Sequence, residues 1–277
     1  MRGLNTLVSI EELSRHPEWR VFDCRHDLAK PGWGFEEYAK AHLPGALFAS
    51  LDRDLSAAKT GDNGRHPLPD PKVFIAWLGR QGLSQSDQVV CYDSGPGAMA
   101  ARLWWMLRWV RHPEVAVLDG GYAKWIAGRR PVSSEVPAFP GRSYEGKPDR
   151  SMAVDVAFVE RNMKKSVLLD ARAPARYRGE QEPIDPVAGR IPGALNRFNN
   201  DNLTAAGTFK SAEVLRQEFL AVLGDRPAAQ AINYCGSGVA ACHNLLAMEI
   251  AGLGGSRLYA GSWSEWSAEP SRPISRS

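Results

Sequence analysis

The chain has 277 residues, of which 44% are hydrophobic and 23% are charged, a composition typical of a globular protein with a sizeable core. Its 34 basic and 31 acidic residues give a formal net charge of +3, too small to predict binding to nucleic acid or to a membrane surface. No apolar run approaches the ~20 residues needed to cross a bilayer. The first residues include acidic side chains and no continuous apolar stretch, so we expect no secretory signal.

The four cysteines are Cys24, Cys91, Cys235 and Cys242, in a chain without a predicted export signal, which favours reduced thiols over disulfides. None forms a Cys-x-x-Cys pair, so the usual spacing of a structural zinc site is absent. We therefore expect a cytoplasmic protein with no metal and no organic cofactor.

The predicted elements of the first half begin with a helix at 9–16, because Ser9 is followed three positions later by Glu12, as in a capping box. The elements that follow are an apolar strand (RVFDCR, 20–25), a Pro-Gly turn (AHLPGALF, 41–48), a helix (DPKVFIAWLGR, 70–80), a second strand that leads through a loop into a long apolar helix (VVCYDSGPGAMAARLWWML, 89–107), a third strand (VAVLDG, 115–120) and a short helix (GGYAKW, 120–125).

The second half repeats these blocks in the same order. The matching segments are VLLDAR (167–172), GRIPGALN (189–196), AINYCGSGVAACHNLLAME (231–249) and GSWSEW (261–266). We infer a tandem duplication: a first domain at 1–131, a Pro- and Gly-rich linker at 132–150 and a second domain at 151–277. Short apolar strands that alternate with helices predict an α/β fold in which each domain is a parallel sheet with helices on both faces.

The stretch INYCGSGVAACHN (232–244) places Cys235 where an apolar strand runs into a glycine-rich loop and then a helix. In parallel sheets, ligands bind at the carboxyl ends of strands, where the following helices begin. Gly236 and Gly238 can take φ > 0, so the backbone can aim successive N–H groups at one point before a helix that starts near Val239. Such a loop favours an anion, and hence the thiolate form of a nucleophilic cysteine. A small residue packed in a tight turn is the alternative explanation.

The first half carries Asp93 at the position that corresponds to Cys235. A carboxylate cannot act there as a sulfur nucleophile, and the proline of this loop removes one N–H donor. We therefore expect the first domain to be inactive and the second to be catalytic.

Two tandem halves, an Asp-x-Arg strand end, a G-x-I-P-G-A turn and a CGSGV loop in the second half alone resemble the rhodanese-like sulfurtransferases over essentially the whole chain. The loop is similar to that of the 3-mercaptopyruvate branch, whereas the thiosulfate branch usually places basic residues directly after its cysteine. The resemblance implies that a small anionic donor, 3-mercaptopyruvate or alternatively thiosulfate, passes its sulfur to Cys235, which then carries it as a persulfide. Cyanide, a thiol or a dithiol protein such as thioredoxin would then accept the sulfur. The N–H groups of Gly236, Gly238 and Val239 would hold the anionic sulfur.

The resemblance also implies how the donor is bound. Arg176 matches the substrate-binding arginine of the family, and a guanidinium suits a carboxylate. The mercaptopyruvate branch usually has a second arginine nine positions later, where this chain has Asp185. Arg178 or Arg190 would then have to supply the second contact, although a solvated surface charge explains each of them equally well.

Ser237 matches the serine of a Ser-His-Asp triad proposed for the mercaptopyruvate branch. The resemblance assigns His66 as the histidine and Asp52 as the aspartate, with Asp54 as a competing choice. A histidine titrates near neutrality, so it could handle the proton of an enolate-like product. The alternative for His66 is a loop histidine that faces solvent.

Other functions are open to a cysteine in such a loop. A phosphatase of this fold needs an arginine six residues after its cysteine, where this chain has Ala241. A cysteine protease needs a histidine base beside the thiol, and the nearby sequence offers no convincing pair. A non-catalytic binding or sulfur-sensing module would require an unreactive Cys235.

Overall fold

The computed structural model describes residues 4–276, which divide into two compact units. Unit 1 comprises the chain up to Ala57, Pro69–Asp149 and Ala205–Thr208. Unit 2 comprises Ala58–Leu68, Arg150–Thr204 and the chain from Phe209 onward. Unit 2 therefore takes in a segment from the first half of the sequence. The domain boundaries inferred from the repeat stay a prediction.

Unit 1 alternates strands and helices along the chain. Within the described residues, its strands are β1 (Leu7–Val8), β2 (Arg20–Asp23), β3 (Leu47–Phe48), β4 (Val89–Tyr92) and β5 (Val115–Leu118). Its helices are α1 (Ile10–Leu13), α2 (Trp33–Lys40), α3 (Pro71–Arg80), α4 (Ala98–Trp109) and α5 (Gly121–Ala127). The predicted cap of the first helix is confirmed, because Oγ of Ser9 accepts the N–H of Glu12 at 3.1 Å.

The strands of unit 1 form a parallel sheet in the order β1-β5-β4-β2-β3. Successive side chains of β2 point to opposite faces of this sheet. Val21 belongs to a buried cluster with Leu13 of α1 and Trp125 of α5, whereas Phe22 packs against Trp77 of α3. Helices therefore cover both faces, which explains why β4 and β5 are buried along their whole length.

Unit 2 repeats this architecture. Among its described residues, the strands are β6 (Ala153–Val154), β7 (Val167–Asp170), β8 (Leu195–Asn196), β9 (Ala231–Tyr234) and β10 (Arg257–Tyr259). The helices are α6 (Val156–Asn162), α7 (Pro174–Arg178), α8 (Ala212–Leu223), α9 (Ala240–Ile250) and α10 (Ser262–Trp266). The sheet is again parallel, in the order β6-β10-β9-β7-β8. The predicted α/β class is confirmed in both units.

The described residues form five strands in each unit, whereas the sequence predicted three. The additional strands are β1, β3, β6 and β8, and each has two residues. Two residues are too few to show an alternating or apolar pattern, so they could not be read from the sequence. The helices α2 and α7 were also not predicted.

The Asp-x-Arg strand end forms the same corner twice. The guanidinium of Arg25 donates to both carboxylate oxygens of Asp23 at 2.7–3.1 Å and to the carbonyl of Ala41 at 2.6 Å. Arg172 donates in the same way to Asp170 and to the carbonyl of Gly189. Each corner ties a strand end to the Pro-Gly turn, a structural role that explains its presence in both halves.

The predicted linker packs along unit 1 as far as residue 149. Its backbone N–H groups at Arg142, Lys147 and Asp149 donate to carbonyls of Gly79, Val110 and Trp109. None of the helices formed by residues 4–276 combines the length and the apolar character that crossing a membrane requires.

Candidate active site

Cys235 lies directly after β9, at the carboxyl end of a central strand of unit 2. Two N–H groups of the following loop, which the structure describes in full, donate to its Sγ: Ser237 at 3.4 Å and Gly238 at 3.1 Å. The helix α9 begins at Ala240, so its positive end faces the same point. We call the N–H groups of residues 236–239 the amide cradle. The side chain of Cys235 is thus turned toward backbone donors, as an anionic sulfur requires.

The two glycines of the loop are needed for different reasons. Gly238 has φ +78°, a conformation that favours glycine. Gly236, in the same fully described loop, does not have a left-handed φ, so the expectation of φ > 0 is wrong for it. A Cβ at Gly236 would lie 2.7 Å from Nη2 of Arg65, so the absence of a side chain leaves room for a guanidinium.

Ser262 fixes the backbone of the nucleophile. It has φ +56°, which is strained for a residue with a Cβ. Its buried Oγ accepts the N–H of Cys235 at 3.1 Å and donates to the carbonyl of Tyr259 at 2.9 Å. The N–H of Trp263 also donates to the carbonyl of Cys235 at 2.9 Å. Ser262 was not predicted, because its distinguishing feature is a backbone angle that the sequence does not reveal.

The matching position of unit 1 is occupied by Gly121, which has the same φ of +56°. The N–H of Tyr122 donates there to the carbonyl of Asp93, as Trp263 does to Cys235. The two units therefore share the backbone geometry, and unit 2 alone of the two has a side chain at this position that can reach the nucleophile.

Asp93 occupies the equivalent cradle in unit 1 with its own carboxylate. Among the described residues, Oδ1 accepts the N–H groups of Gly95 and Gly97, and Oδ2 accepts those of Met99 and Ala100, at 2.9–3.3 Å. Burial raises the pKa of this carboxyl, while the four amides pull in the opposite direction. The cradle of unit 1 is thus filled by an internal anion and cannot take an external one.

His66 and Ser237 meet in unit 2, because the segment Ala58–Leu68 clusters with that unit. Nδ1 of His66 lies 2.8 Å from Oγ of Ser237, and both residues are buried. His66 therefore does not face solvent. Asp52 lies in unit 1, where its carboxylate is 4.0 Å from Nε2 of His26, and its place in a triad stays a prediction. The competing Asp54 accepts the N–H of Ser50 at 2.9 Å and pairs with its neighbour Arg53.

Two guanidinium groups converge beside the cysteine loop. A Cβ at Gly236 would lie 2.7 Å from Nη2 of Arg65 and 3.5 and 3.6 Å from the two terminal nitrogens of Arg176. Asp185 pairs with both arginines, and Glu182 pairs with Arg176 at 2.5 Å. Both carboxylate side chains are nearly inaccessible, at 2% and 3% exposure, so the cluster is built into the fold.

Arg178 and Arg190 have other partners. Arg178 pairs with Glu180 at 2.6 Å, and its side chain is 44% exposed. Arg190 stacks over the ring of Tyr177, 4.5 Å from its centroid, and donates to the Tyr177 carbonyl. Their predicted role in donor binding stays a prediction, whereas the cation found next to Gly236 together with Arg176 is Arg65. Sequence reasoning missed Arg65 because its partner Asp185 is 120 positions away.

Comparison with known proteins agrees with this geometry. The family model described as "Rhodanese-like domain" matches residues 6–128 and 156–269, one copy in each half. The chain belongs to the rhodanese family. The predicted resemblance is thereby confirmed, and so is the duplication of the rhodanese-like domain.

Relatives in this family carry sulfurtransferase names. The chain is 49% identical to "Probable 3-mercaptopyruvate sulfurtransferase" of Pseudomonas aeruginosa, over 93% of this chain and 92% of the relative. It is 33% identical to "Thiosulfate sulfurtransferase" of Gallus gallus, over 83% and 80%. A solved structure, "3-mercaptopyruvate sulfurtransferase from Leishmania major", superposes with a TM-score of 0.85 at 31% identity and covers 95% of this chain and 74% of that one. The expectation of an enzyme that transfers sulfur is confirmed.

We expect removal of the Asp93 carboxylate to lower the free energy of unfolding substantially, because this side chain is the acceptor for the N–H groups of its loop. In the Asp93→Ala variant, four N–H groups, two of them in buried and two in part-buried hydrogen bonds, lose their acceptor, which we expect to lower the free energy of unfolding by about 2–4 kcal/mol. Chemical denaturation followed by circular dichroism measures this change. The exposed Asp225→Ala is the control, expected to change stability by less than about 0.5 kcal/mol. A loss in Asp93→Ala no larger than the control would contradict the filled cradle.

Ser262→Gly separates the positioning of Cys235 from stability. Glycine fits this backbone, as Gly121 shows, and relief of left-handed strain of about 1–2 kcal/mol offsets the two lost hydrogen bonds of about 1 kcal/mol each. We expect an unchanged melting temperature but an alkylation rate of Cys235 by iodoacetamide that is about tenfold lower. Ser267→Gly, at the C-terminal end of the same helix α10, is the control. An alkylation rate equal to that of the wild type would show that Ser262 does not position the sulfur.

Proposed function

We propose that the protein transfers the sulfur of 3-mercaptopyruvate to a thiol acceptor, with Cys235 as the sulfur carrier. The observation that carries this proposal is the environment of one atom: Sγ of Cys235 accepts the N–H groups of Ser237 and Gly238 beside the guanidinium groups of Arg176 and Arg65. Backbone donors suit an anionic sulfur, and guanidinium groups suit the carboxylate of the donor.

In the first half-reaction, the Cys235 thiolate attacks the sulfur of mercaptopyruvate. The new S–S bond forms as the C–S bond breaks, and the electron pair of that bond stays on the carbon as the enolate of pyruvate. The thiol proton of the donor goes to this carbon, which leaves pyruvate and an ionised Cys235 persulfide. The terminal sulfur then carries the negative charge that the amide cradle can stabilise.

In the second half-reaction, a nucleophile attacks the terminal sulfur. The S–S bond breaks, and its electron pair returns to Cys235 as thiolate. Cyanide leaves as thiocyanate, and a thiol leaves as its persulfide with its own proton retained. We propose that a dithiol protein of the thioredoxin class is the cellular acceptor, since its second thiol can displace the transferred sulfur as hydrosulfide and form a disulfide.

The pair His66 and Ser237 supports mercaptopyruvate over thiosulfate as the donor. An enolate must gain a proton on carbon, and the buried contact of 2.8 Å between these side chains provides a route beside the nucleophile. Thiosulfate releases sulfite, which needs no such proton. Thiosulfate remains the second candidate, because relatives in the same family carry that name. We include Asp52 in this proposal as the third member of the triad.

We propose a cytoplasmic location. No disulfide joins the four cysteines, each of which lies buried within the described residues. Thiols that persist unpaired are typical of a reducing compartment. A non-catalytic sulfur-sensing module would need a Cys235 that does not react, which the donors around its Sγ argue against.

Cys235→Ser tests the nucleophile. Because an alcohol is a far weaker nucleophile toward sulfur than a thiolate, we expect turnover of mercaptopyruvate with cyanide to fall by at least about 10³-fold. Thiocyanate formation measures the rate, and Cys242→Ser is the matched control with near-normal turnover. Turnover in Cys235→Ser close to the wild-type rate would refute the role of Cys235 as the nucleophile. A wild-type preference for thiosulfate would overturn the choice of donor and leave the nucleophile in place.

His66→Gln tests the proton route through a comparison of donors. We expect kcat/KM for mercaptopyruvate to fall about 100-fold, since proton transfer by a placed side chain contributes a factor of that order. With thiosulfate, we expect a change of less than about threefold, because the leaving sulfite needs no proton. Ser237→Ala should show the same asymmetry, and His16→Gln serves as a control. Equal losses with both donors would contradict a role in proton transfer.

A further inference from the structure

A second guanidinium reaches the cysteine loop from a distant part of the sequence. Position 185, where the resemblance leads one to expect an arginine, is a buried aspartate that pairs with Arg65 and Arg176. Arg65 belongs to the segment Ala58–Leu68, which clusters with unit 2. The pair of positively charged groups beside the nucleophile is thus complete, with one member supplied by a different segment.

Arg65 is held in place at both ends. Its backbone N–H donates to Oγ of Ser264 on α10 at 3.0 Å. The preceding Gly64 has φ +83°, and a Cβ there would lie 2.7 Å from the carbonyl oxygen of Gly261, so this backbone can pass α10 only as glycine. At the other end, the guanidinium pairs with Asp185. A side chain fixed at both ends loses little conformational freedom when it binds a ligand.

Charged groups of both signs surround the guanidinium of Arg65. Burial lowers the pKa of Arg65, and Arg176 acts in the same direction, whereas Cys235 and Glu182 raise it. Two cations at such close range are stable because Asp185 and Glu182 accept from them. Nη2 of Arg65 and both terminal nitrogens of Arg176 lie 2.7–3.6 Å from the Cβ position of Gly236, the residue that follows Cys235.

We propose that Arg65 is the second donor-binding arginine of this site and determines its preference for sulfur donors that carry a carboxylate. Arg65 and Arg176 bind the two oxygens of that carboxylate, and Asp185 is the positioning residue that holds both guanidinium groups. Two planar guanidinium groups, one for each oxygen, fix the orientation of the carboxylate more firmly than one arginine does. This inference rests on the proposed function, since it names the group by which the same site recognises its donor.

Pyruvate binding tests the inference without turnover, because pyruvate carries the carboxylate of the donor and lacks the sulfur. We expect calorimetry on the full chain to show a dissociation constant for pyruvate that rises about tenfold to hundredfold in Arg65→Gln. Arg65→Lys, which keeps the charge and the contact with Asp185 but not the fork, should fall between wild type and Arg65→Gln. Arg161→Gln, at an exposed position of α6, is the matched control and should bind pyruvate as the wild type does.

Kinetics separates donor binding from a structural role of Arg65. In a ping-pong reaction, kcat/KM for the donor and for the acceptor report separate half-reactions. We expect Arg65→Gln to lower kcat/KM for mercaptopyruvate about tenfold or more and to leave that for the neutral thiol 2-mercaptoethanol within about threefold. A merely structural arginine would lower both values together.

The results that overturn the inference are distinct from those that overturn the proposed function. Pyruvate affinity that is unchanged in a folded Arg65→Gln, or a wild type that does not bind pyruvate, refutes a carboxylate site at Arg65. A wild type that binds pyruvate through Arg65 but does not take sulfur from mercaptopyruvate refutes the proposed function and leaves the carboxylate site standing.

Discussion

The convergence of backbone N–H groups on one point after a central strand is the interaction on which the two units depend. Buried amides need an acceptor, so each loop must contain one. In unit 1 the acceptor is the carboxylate of Asp93, which takes four amides. In unit 2 it is the sulfur of Cys235, which takes two. The same backbone therefore surrounds a structural carboxylate in one unit and the proposed nucleophile in the other.

The two acceptors, the carboxylate of Asp93 and the sulfur of Cys235, also differ in the strength of the hydrogen bonds that they accept. A carboxylate at 2.9 Å is a strong acceptor for an amide, whereas sulfur is a weak one. The loop of Cys235 consequently gains less from its own hydrogen bonds, and its shape has to be held by other contacts. Ser262 provides one such contact through a strained backbone, and the N–H groups of Trp263 and Ser264 provide two more to the carbonyls of Cys235 and Gly236. Because sulfur is a weak acceptor in the resting loop, the backbone N–H groups can bind more strongly when negative charge develops on sulfur.

The sequence was sufficient for the fold and for the placement of Cys235 in its loop, because both leave local patterns. The repeat of strands, turns and helices predicted two parallel sheets, and the Gly-rich loop after an apolar strand predicted the position of Cys235. The contact between Ser237 and His66 followed from a resemblance rather than from spacing. Arg65 could not be predicted, because its role depends on an ion pair with Asp185 that spans 120 positions. Ser262 was missed because a left-handed φ leaves no periodic signal.

The placement of Arg65 also explains how Asp185 can be tolerated near the proposed nucleophile, which needs positive surroundings. An isolated buried carboxylate there would oppose both the thiolate and an anionic donor. Between two guanidinium groups, the same carboxylate instead fixes their directions while its own charge is balanced. The guanidinium groups of Arg65 and Arg176 then stay aligned when no sulfur donor is bound. In the proposed binding mode, the carboxylate of the substrate therefore meets N–H groups that are already in position. Arg65, which comes from another segment of the chain, and Asp185 thus form one ion pair, and the position of each depends on the other.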